Sequence, residues 1–524
     1  MALHDDLKPS ASWRLADYKN LGRNINEMRR ERNATSLELR KSKRADALFR
    51  RRNLPNLEYG EDIPDLTDIE DDAELFRRLN EVINNARSPI PDVRLKAVET
   101  IRKMVSSRKR PPIDELIQKG ALLILIECLA PAESPQLQFE ATWALTNVVS
   151  GTAEHTRAAV EAGIVPRLLT LLNGPHQKVS EQAVWALANI IGEGPLLRDF
   201  CINIGVISEL RKFIVPTVPG SLLRNITWAV ANLCRNEEPS LSIEVVRELL
   251  SVIVLLLGHT DHTILVNTFW ALSFLMDPSS DILQLVIDTG MVDRLLPYLA
   301  ESDTKLVVPV LRILGNLTTG TDEQTQVLLN AGILTYFPQV LTNPKEKVHQ
   351  GAVWLLSNVL AGTVSQVQAV IDMHLLPILL QHLATSNFAT QKEAAWAFSN
   401  LSLTGSQEQV NMAVELGVVA PLCNLLTVYD TQVVRVVLNT LHNLLKLSPT
   451  TPTRYTPVTD QVEECGGLDK IVCLQYSENE GIRKLASLLI DVFWTEKDEM
   501  VNEPAAIHPE FSPQTNLPKD DFQF

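Results

Sequence analysis

The sequence predicts an all-α fold, a right-handed α-solenoid of about ten repeats with a flexible basic N-terminal segment and an acidic C-terminal tail. Three observations in the 524 residues predict it. Tryptophans recur every 42 or 43 residues, apolar runs with helical periodicity follow regularly spaced glycines, and charge is divided unevenly along the chain. A period of this length is typical of repeats built from helices that stack in a row.

The repeat is clearest in the tryptophans, which define a register along the chain. Four residues after most register positions stands an asparagine, so the repeated feature is a pair of side chains one helical turn apart. The eight successive pairs are Trp143/Asn147, Trp185/Asn189, Trp228/Asn232, Trp270/Phe274, Arg312/Asn316, Trp354/Asn358, Trp396/Asn400 and Asn439/Asn443.

A glycine stands 22 or 23 residues before most register positions, at Gly120, Gly163, Gly205, Gly290, Gly332 and Gly417. Each precedes an apolar run such as GIVPRLLTLL or GVVAPLCNLL, whose periodicity is helical rather than alternating. Glycine suits the end of one helix that turns into the next. We therefore expect two or three helices in each unit of about 42 residues, the length of armadillo-type or HEAT-type repeats.

The distribution of charge divides the chain into four parts. Residues 14–52 hold 13 basic and 5 acidic residues, whereas residues 58–74 hold nine acids and no base. Acidic runs with few large apolar side chains cannot bury a core. We predict a basic segment at 1–57, a flexible acidic linker at 58–75, the repeat array at 76–495 and an acidic, proline-containing tail at 496–524.

Composition disfavours several classes of function. The net charge of −15 disfavours general binding to nucleic acid or to an anionic membrane. The strongest apolar run, residues 249–257, is too short to cross a bilayer. The six cysteines form no CxxC pair, which is typical of a reducing intracellular compartment.

Motifs of catalysis and metal binding are missing from the sequence. There is no GxxxxGK[ST] loop, no GxSxG and no HExxH, so we expect no catalytic residue and no cofactor. His259 and His262 lie in a predicted loop without a third cluster of ligands, and we interpret them as surface residues rather than as a metal site.

The Trp–Asn pairs admit two interpretations. In one, the indoles fill the core and the asparagines join stacked helices. In the other, the register faces solvent, because Arg312 and Asn439 occupy it in two units and a buried position suits neither side chain. We favour the second interpretation, since repeated aromatic side chains on an open surface indicate a binding site.

A basic peptide fits the chemistry of such a row. Asparagine can both donate to and accept from a peptide backbone, and parallel indoles form slots for the aliphatic stems of Lys or Arg. Acids near the row, Glu193 and Glu393, would select positive charge. Because Phe274 and Arg312 interrupt the row, we predict two grooves about 45 Å apart, at roughly 10 Å per unit. An extended peptide of about 14 residues would span that distance.

The chain resembles the importin α family over nearly its whole length. The resemblance rests on YKNLGRNINEMRRERNATSLELRKSKRADALFRRRN, WALTNVVSGTAEHT, WALANIIGEG and KEAAWAFSN. It implies armadillo repeats and an adaptor for proteins with mono- or bipartite basic nuclear localisation signals. The implied major groove comprises Trp143, Asn147, Gly151, Thr156, Gln182, Trp185, Asn189, Glu193, Trp228 and Asn232. The implied minor groove comprises Thr319, Gly320, Asp322, Trp354, Asn358, Glu393, Trp396 and Asn400.

Three positions depart from the pattern of the family. Glu193 stands where an aspartate is usual, Asn267 where aspartate is frequent and Gly351 where glutamate is frequent. The loss of two charges predicts a shifted preference for cargo and a weaker minor groove.

The resemblance also implies roles for the basic segment. Importin β would wrap residues 14–52 as a helix, through Arg29, Arg30, Arg32, Arg40, Lys41, Lys43 and Arg44. Arg50, Arg51 and Arg52 resemble a localisation signal, so we expect them to occupy the major groove and to inhibit cargo binding until importin β withdraws them.

The resemblance further implies a transport cycle. RanGTP would strip importin β away in the nucleus, a nuclear export receptor would bind the later repeats with RanGTP, and the chain would shuttle between cytoplasm and nucleus through nuclear pores. No direct contact with nucleic acid or membrane is expected. The alternatives are an armadillo scaffold for adhesion or signalling partners, which would favour a basic groove, and a nucleic-acid-binding solenoid, which the charge of −23 outside residues 14–52 disfavours.

Overall fold

A computed structural model describes residues 72–106, 111–235, 239–276, 280–447 and 457–495. Within these ranges the regular structure consists of 28 α-helices and three short 3₁₀ helices, without a strand, which confirms the predicted all-α fold. The importin-β-binding and inhibitory residues predicted between Arg29 and Arg52 lie outside the described residues, as does the predicted tail.

The helices form ten consecutive units. The first five units consist of α1 (Asp72–Ala86) and α2 (Pro91–Val105); α3 (Ile113–Gln118), α4 (Ala121–Glu127) and α5 (Pro135–Val148); α6 (Ala153–Glu161), α7 (Ile164–Leu172) and α8 (Gln177–Ile191); α9 (Pro195–Asn203), α10 (Val206–Arg211) and α11 (Gly220–Leu233); and α12 (Ile243–Leu256) and α13 (His262–Leu275).

The other five units consist of α14 (Ser280–Asp288), α15 (Val292–Leu295), a 3₁₀ helix (Leu296–Ala300) and α16 (Thr304–Leu317); α17 (Asp322–Asn330), a 3₁₀ helix (Ile333–Tyr336), α18 (Phe337–Leu341) and α19 (Glu346–Val359); α20 (Val364–Asp372), α21 (Leu376–Thr385) and α22 (Phe388–Thr404); α23 (Gln407–Glu415), α24 (Val419–Asn424), a 3₁₀ helix (Leu425–Thr427) and α25 (Thr431–Leu447); and α26 (Val458–Glu464), α27 (Gly467–Leu474) and α28 (Glu480–Phe493).

The predicted glycines separate the first two helices of their units. All six have positive φ, between 67° and 93°, in the left-handed region that favours glycine, and Gly466 does the same in the last unit. One unit has no glycine at this turn, and there His374 takes φ 54° instead. Side-chain capping boxes begin the first helix of four units, at Thr152, Thr321, Thr363 and Ser406.

The last helix of each unit is the long helix, with 14 to 17 residues. The ten long helices are α2, α5, α8, α11, α13, α16, α19, α22, α25 and α28, and each packs against the next along the chain. One hydrophobic core runs under this row, from Leu79 in α1 to Leu489 in α28. The row therefore places equivalent residues of successive units side by side.

The array is bounded by its first and last helices. Helix α1 begins at Asp72, inside the segment 58–75 that we predicted as a flexible linker. At the other end, α28 ends at Phe493, close to the predicted end of the array at residue 495.

Candidate functional site: a row of indoles and carboxamides

Each predicted Trp–Asn pair lies on a long helix. Helices α5, α8 and α11 carry the first three intact pairs, and α19 and α22 carry the last two. Between them, α13 holds Trp270 and Phe274, whose rings stack with centroids 5.6 Å apart. In this unit Phe274 therefore occupies the position of the asparagine and stacks on the tryptophan of its own pair.

The indoles are covered more than we predicted. Trp143, Trp228 and Trp396 are only 7–8% exposed, whereas Trp185, Trp270 and Trp354 are half-buried. Arg312 and Asn439 are half-buried too. In their two units the register position therefore reaches solvent, as we expected. Trp228 belongs to the hydrophobic core, and Trp185 and Trp270 pack against that core, so the row is less open than we predicted.

The neighbouring indoles of Trp185 and Trp228 are in contact but are not parallel. The rings of Trp185 and Trp228 lie 6.1 Å apart with an angle of 81° between their planes, an edge-to-face arrangement. The prediction of a parallel slot is wrong for this pair, since the edge of one ring meets the face of the other. A Lys or Arg stem would pack on the ring faces that remain.

The asparagines are buried, contrary to the prediction of exposed carboxamides. The five that belong to intact pairs are 3–7% exposed. Four of them donate Nδ2–H to the preceding long helix: Asn147 to Ser106 Oγ (2.7 Å), Asn232 to the Ala188 carbonyl (2.8 Å), Asn358 to Thr318 Oγ1 (3.2 Å) and Asn400 to the Ser357 carbonyl (2.7 Å). We did not favour the interpretation of the asparagines as links between stacked helices. In these four asparagines it is correct for one of the two Nδ2 hydrogens.

Asn189, at the centre of the first three pairs, differs from the other four. Within the described residues its carboxamide makes none of these bonds between units. Asn147 retains a buried Oδ1 that accepts no hydrogen bond there. The Asn189 carboxamide keeps the donor and acceptor capacity that a bond to a peptide backbone requires.

The other predicted residues of the major groove lie near the ends of α5 and α8. Thr156 is completely buried, and its hydroxyl lies within hydrogen-bond distance of the Val149 and Thr152 carbonyls. Gln182 donates to Thr146 Oγ1 at 2.8 Å, and Glu193 is half-buried after α8. A Cβ at Gly151 would collide with the ring of His155, so packing alone requires glycine there.

The other predicted residues of the minor groove follow the same plan. Thr319 is 5% exposed and donates to the Asn316 carbonyl at 2.7 Å, and a Cβ at Gly320 would meet the side chain of Gln324. Asp322 opens α17 and is half-buried. Glu393 is 5% exposed, three residues before Trp396 on α22, and supplies a carboxylate beside that indole.

Two of the departures also have structural settings. Asn267 is 8% exposed and donates to Thr227 Oγ1 at 3.1 Å, so it joins α13 to α11. Gly351 is half-buried on α19, and a Cβ there would meet only Leu311 at an ordinary 3.6 Å.

Sequence reasoning missed Arg102 on α2 and Ser106 directly after α2, which occupy the same two register positions. They precede Trp143 and Asn147 by 41 residues, one fewer than the regular step of 42, which leads to Ile101 and Val105 instead. The guanidinium carbon of Arg102 lies 4.5 Å from the ring centroid of Trp143. Ser106 accepts the hydrogen bond from Asn147.

The histidines and the cysteine considered next lie outside the row of indoles. His262 pairs with Asp303 at 2.6 Å, and His259 Nδ1 accepts from the backbone N–H of Asp261. Burial raises the pKa of Cys201 to about 12, so this thiol stays protonated at neutral pH. Among the described residues no group of three potential metal ligands occurs. In the same ranges no single helix is long and apolar enough to cross a bilayer, although two bent helix pairs meet that test by length and composition.

Comparison with known proteins defines the class first. Residues 109–150, 152–192, 321–361, 363–403 and 406–446 match the armadillo/beta-catenin-like repeat, and residues 456–508 match an atypical Arm repeat. Residues 14–99 match the importin beta binding domain, a match that extends through α1 into α2. A crystal structure of an engineered protein, 24% identical, has a TM-score of 0.69 over 79% of this chain and 98% of that one. The chain is thus an armadillo-repeat protein with an importin beta binding domain.

The relatives then define the family. Importin subunit alpha-3 of Caenorhabditis elegans is 48% identical over 507 residues, which cover 95% of each chain. Importin subunit alpha-2 of the same organism is 36% identical over 259 residues, 48% of each chain. The protein belongs to the importin alpha family, as its sequence motifs predicted.

Membership of this family settles the general function. The chain is a nuclear import adaptor and not an enzyme. Its importin beta binding domain makes importin β a partner, and the family implies cargo with nuclear localisation signals and movement between cytoplasm and nucleus.

Proposed function

We propose that this adaptor binds basic localisation signals along the long helices, in a major groove on α5, α8 and α11 and a minor groove on α16, α19 and α22. The predicted major- and minor-groove residues would line these two surfaces. Within the described residues the Asn189 carboxamide makes no bond between units of the kind that the other four asparagines make, and this observation carries the proposal. Asn189 lies at the centre of the first three pairs, where a peptide must bond to pass along the row.

The chemistry of the row suits a basic peptide. Trp185 is half-buried and retains ring area for an aliphatic stem. Carboxylates stand at the ends of both surfaces, Glu193 at the first and Asp322 and Glu393 at the second. Because the surroundings are partly desolvated, such carboxylates attract a cation more strongly than exposed ones would.

Two grooves rather than one continuous groove follow from the interruption. On α13 the stacked Trp270 and Phe274 leave no carboxamide, and on α16 Arg312 replaces the indole with a positive charge. A cationic peptide gains nothing there. A bipartite signal would fill both grooves with a linker of about 14 residues from centre to centre.

The chain's own basic segment is the natural competitor for the major groove. Arg50, Arg51 and Arg52 have the composition of a localisation signal and are tethered at roughly millimolar effective concentration. Importin β, by binding the same segment, would remove the competitor, so cargo and importin β would bind with positive coupling. RanGTP and a nuclear export receptor would reverse the process and return the chain through nuclear pores.

Fluorescence anisotropy with a labelled Lys/Arg-rich bipartite peptide tests the proposal on the full-length chain. We expect the triple variant Arg50→Ala, Arg51→Ala, Arg52→Ala to bind about tenfold more tightly than the parent, with affinity that falls as salt rises. In this background Asn189→Ala removes the hydrogen bonds to the peptide backbone. It should weaken binding by about 5- to 30-fold.

The matched control is Asn443→Ala. Asn443 occupies the same register position as Asn189 but donates to Ser402 Oγ at 3.1 Å, and its unit has Asn439 instead of an indole. We expect no change in affinity from this control. Equal losses in the Asn189 and Asn443 variants would refute the groove, and equal affinities of the parent and the triple variant would refute autoinhibition.

A further inference from the structure

The row of register positions does not end at Trp143. One unit earlier, Arg102 on α2 holds the indole position, and Ser106, the residue directly after α2, holds the carboxamide position. The row therefore begins with a cation that belongs to the protein, directly beside the first indole.

Arg102 is held beside Trp143 by a cation–π contact and an ion pair. Its guanidinium carbon lies 4.5 Å from the indole centroid, within the range of a cation–π interaction. Its Nε donates to Glu140 Oε2 at 2.6 Å. Arg102 and Glu140 are 9% and 7% exposed, so the ion pair is largely withdrawn from water.

The carboxamide beside this indole is engaged from the same side. Asn147 donates Nδ2–H to Ser106 Oγ, and the Ser106 hydroxyl donates to the Arg102 carbonyl at 2.7 Å. Phe139 contacts Trp143 edge-to-face with centroids 5.6 Å apart. Arg102 and Ser106 thus cover one side of the first Trp–Asn pair.

We propose that Arg102, held by Glu140, is an end stop that sets the register of a basic peptide in the major groove. This inference rests on the proposed function of that groove. Arg102 already occupies the face of Trp143 toward α2, and a second cation there would meet a like charge in a poorly solvated setting. Lys and Arg side chains of a ligand therefore bind on the α8 side of Trp143 and beyond it. The ligand residue that lies next to Arg102 must be neutral or acidic.

Helix α2 also carries an ion pair that is more exposed and lies away from the row of indoles. Arg94 on α2 pairs with Glu133 at 2.7 Å, eight residues before Arg102. No aromatic contact is found for Arg94 among the described residues. The side chains of Arg94 and Glu133 are 21% and 28% exposed. Arg94→Met is therefore the matched control for Arg102→Met.

The test measures where an added lysine is accepted. In the full-length chain with Arg50, Arg51 and Arg52 changed to Ala, anisotropy compares a core basic peptide with two extended versions. Each carries one more lysine, two residues beyond the cluster at the N-terminal or the C-terminal end, since alternate side chains of an extended peptide face the same side. We expect one extension to weaken binding and the Arg102→Met variant to reverse the effect. In that variant the lysine replaces the guanidinium on Trp143 and tightens binding about 3- to 10-fold relative to the core peptide.

Two further variants separate the causes. Arg102→Met with Glu140→Gln removes both charges, so it leaves no lone buried carboxylate and keeps the test valid if Arg102→Met alone unfolds by circular dichroism. In this double variant the extended peptide should no longer bind more weakly than the core peptide. Its affinity should rise less than in Arg102→Met, because the Glu140 carboxylate that would attract the added lysine is gone. Arg94→Met should respond to every peptide as the parent does.

The outcomes distinguish the inference from the function on which it rests. If the core peptide binds and both extensions behave alike with and without Arg102, the end stop is refuted while the groove stands. If the core peptide does not bind at all, the groove fails and the end stop fails with it. A change in the Arg94 variant equal to that in the Arg102 variant would also overturn the inference, since it would reflect only general loss of charge.

Discussion

Gly315→Ala should remove the minor groove without changing any residue that contacts the peptide. Gly315 is buried on α16, and the indole of Trp354 from α19 lies directly against it. An added Cβ would lie 2.7 Å from Cε3 of Trp354 and closer still to Cζ3. These distances are far below van der Waals contact, so the indole must move away from α16.

The magnitude follows from two opposing terms. Alanine in place of glycine inside a helix stabilises by about 1 kcal/mol. Overpacking a close contact costs about 1–3 kcal/mol. The net loss of stability is therefore about 0–2 kcal/mol, which leaves the array folded. The loss of a well-placed aromatic anchor costs about 2 kcal/mol of binding free energy, or about thirtyfold in affinity.

The assay is anisotropy with two peptides, one that carries both basic clusters and one that carries only the major-groove cluster. We expect the affinity of the long peptide to fall to that of the short one, while the short peptide is unaffected. The control is Gly351→Ala on α19, where the added Cβ meets Leu311 at 3.6 Å and should be tolerated or slightly stabilising. If Gly315→Ala binds the long peptide as the parent does, the position of Trp354 does not matter for binding and the reasoning is refuted.

Three other predictions test the site and its support. Gly351→Glu should tighten a minor-groove peptide several-fold, because it restores a carboxylate three residues before Trp354 and the backbone there has room; unchanged affinity would count against the weaker minor groove. Arg198 is 2% exposed and donates to the Arg235 and Pro239 carbonyls, so Arg198→Met should cost about 2–5 kcal/mol in urea unfolding. The exposed Arg167→Met should cost almost nothing, and equal losses would contradict the role of Arg198. Burial, and then the charge of His382, lower the pKa of His349 below its usual value near 6.5. The folded chain should therefore lose stability as pH falls below about 6.5, and unfolding of His349→Gln between pH 7 and 5 should show a shallower loss.

The general architecture could be read from local features of the sequence. The 42-residue period, the helical spacing of apolar residues and the six regularly spaced glycines predicted the stacked helices, and these glycines adopt positive φ. These signals are local, because periodicity and backbone conformation are set by residues within one or two helical turns. His374 shows the limit, since its unit makes the same turn without the glycine.

The state of the site depended on tertiary structure. The register identified Trp143 and Asn147, but not that Arg102 covers the indole or that Ser106 holds the carboxamide, because both partners come from 41 residues earlier. For the same reason the sequence did not reveal that Trp185 and Trp228 meet edge-to-face, or that four of the five paired asparagines, but not Asn189, bond between units within the described ranges. Burial, ring orientation and hydrogen bonding at each step of the row are decided by how one unit packs on the next, and a repeat period fixes the order of these contacts but not their geometry.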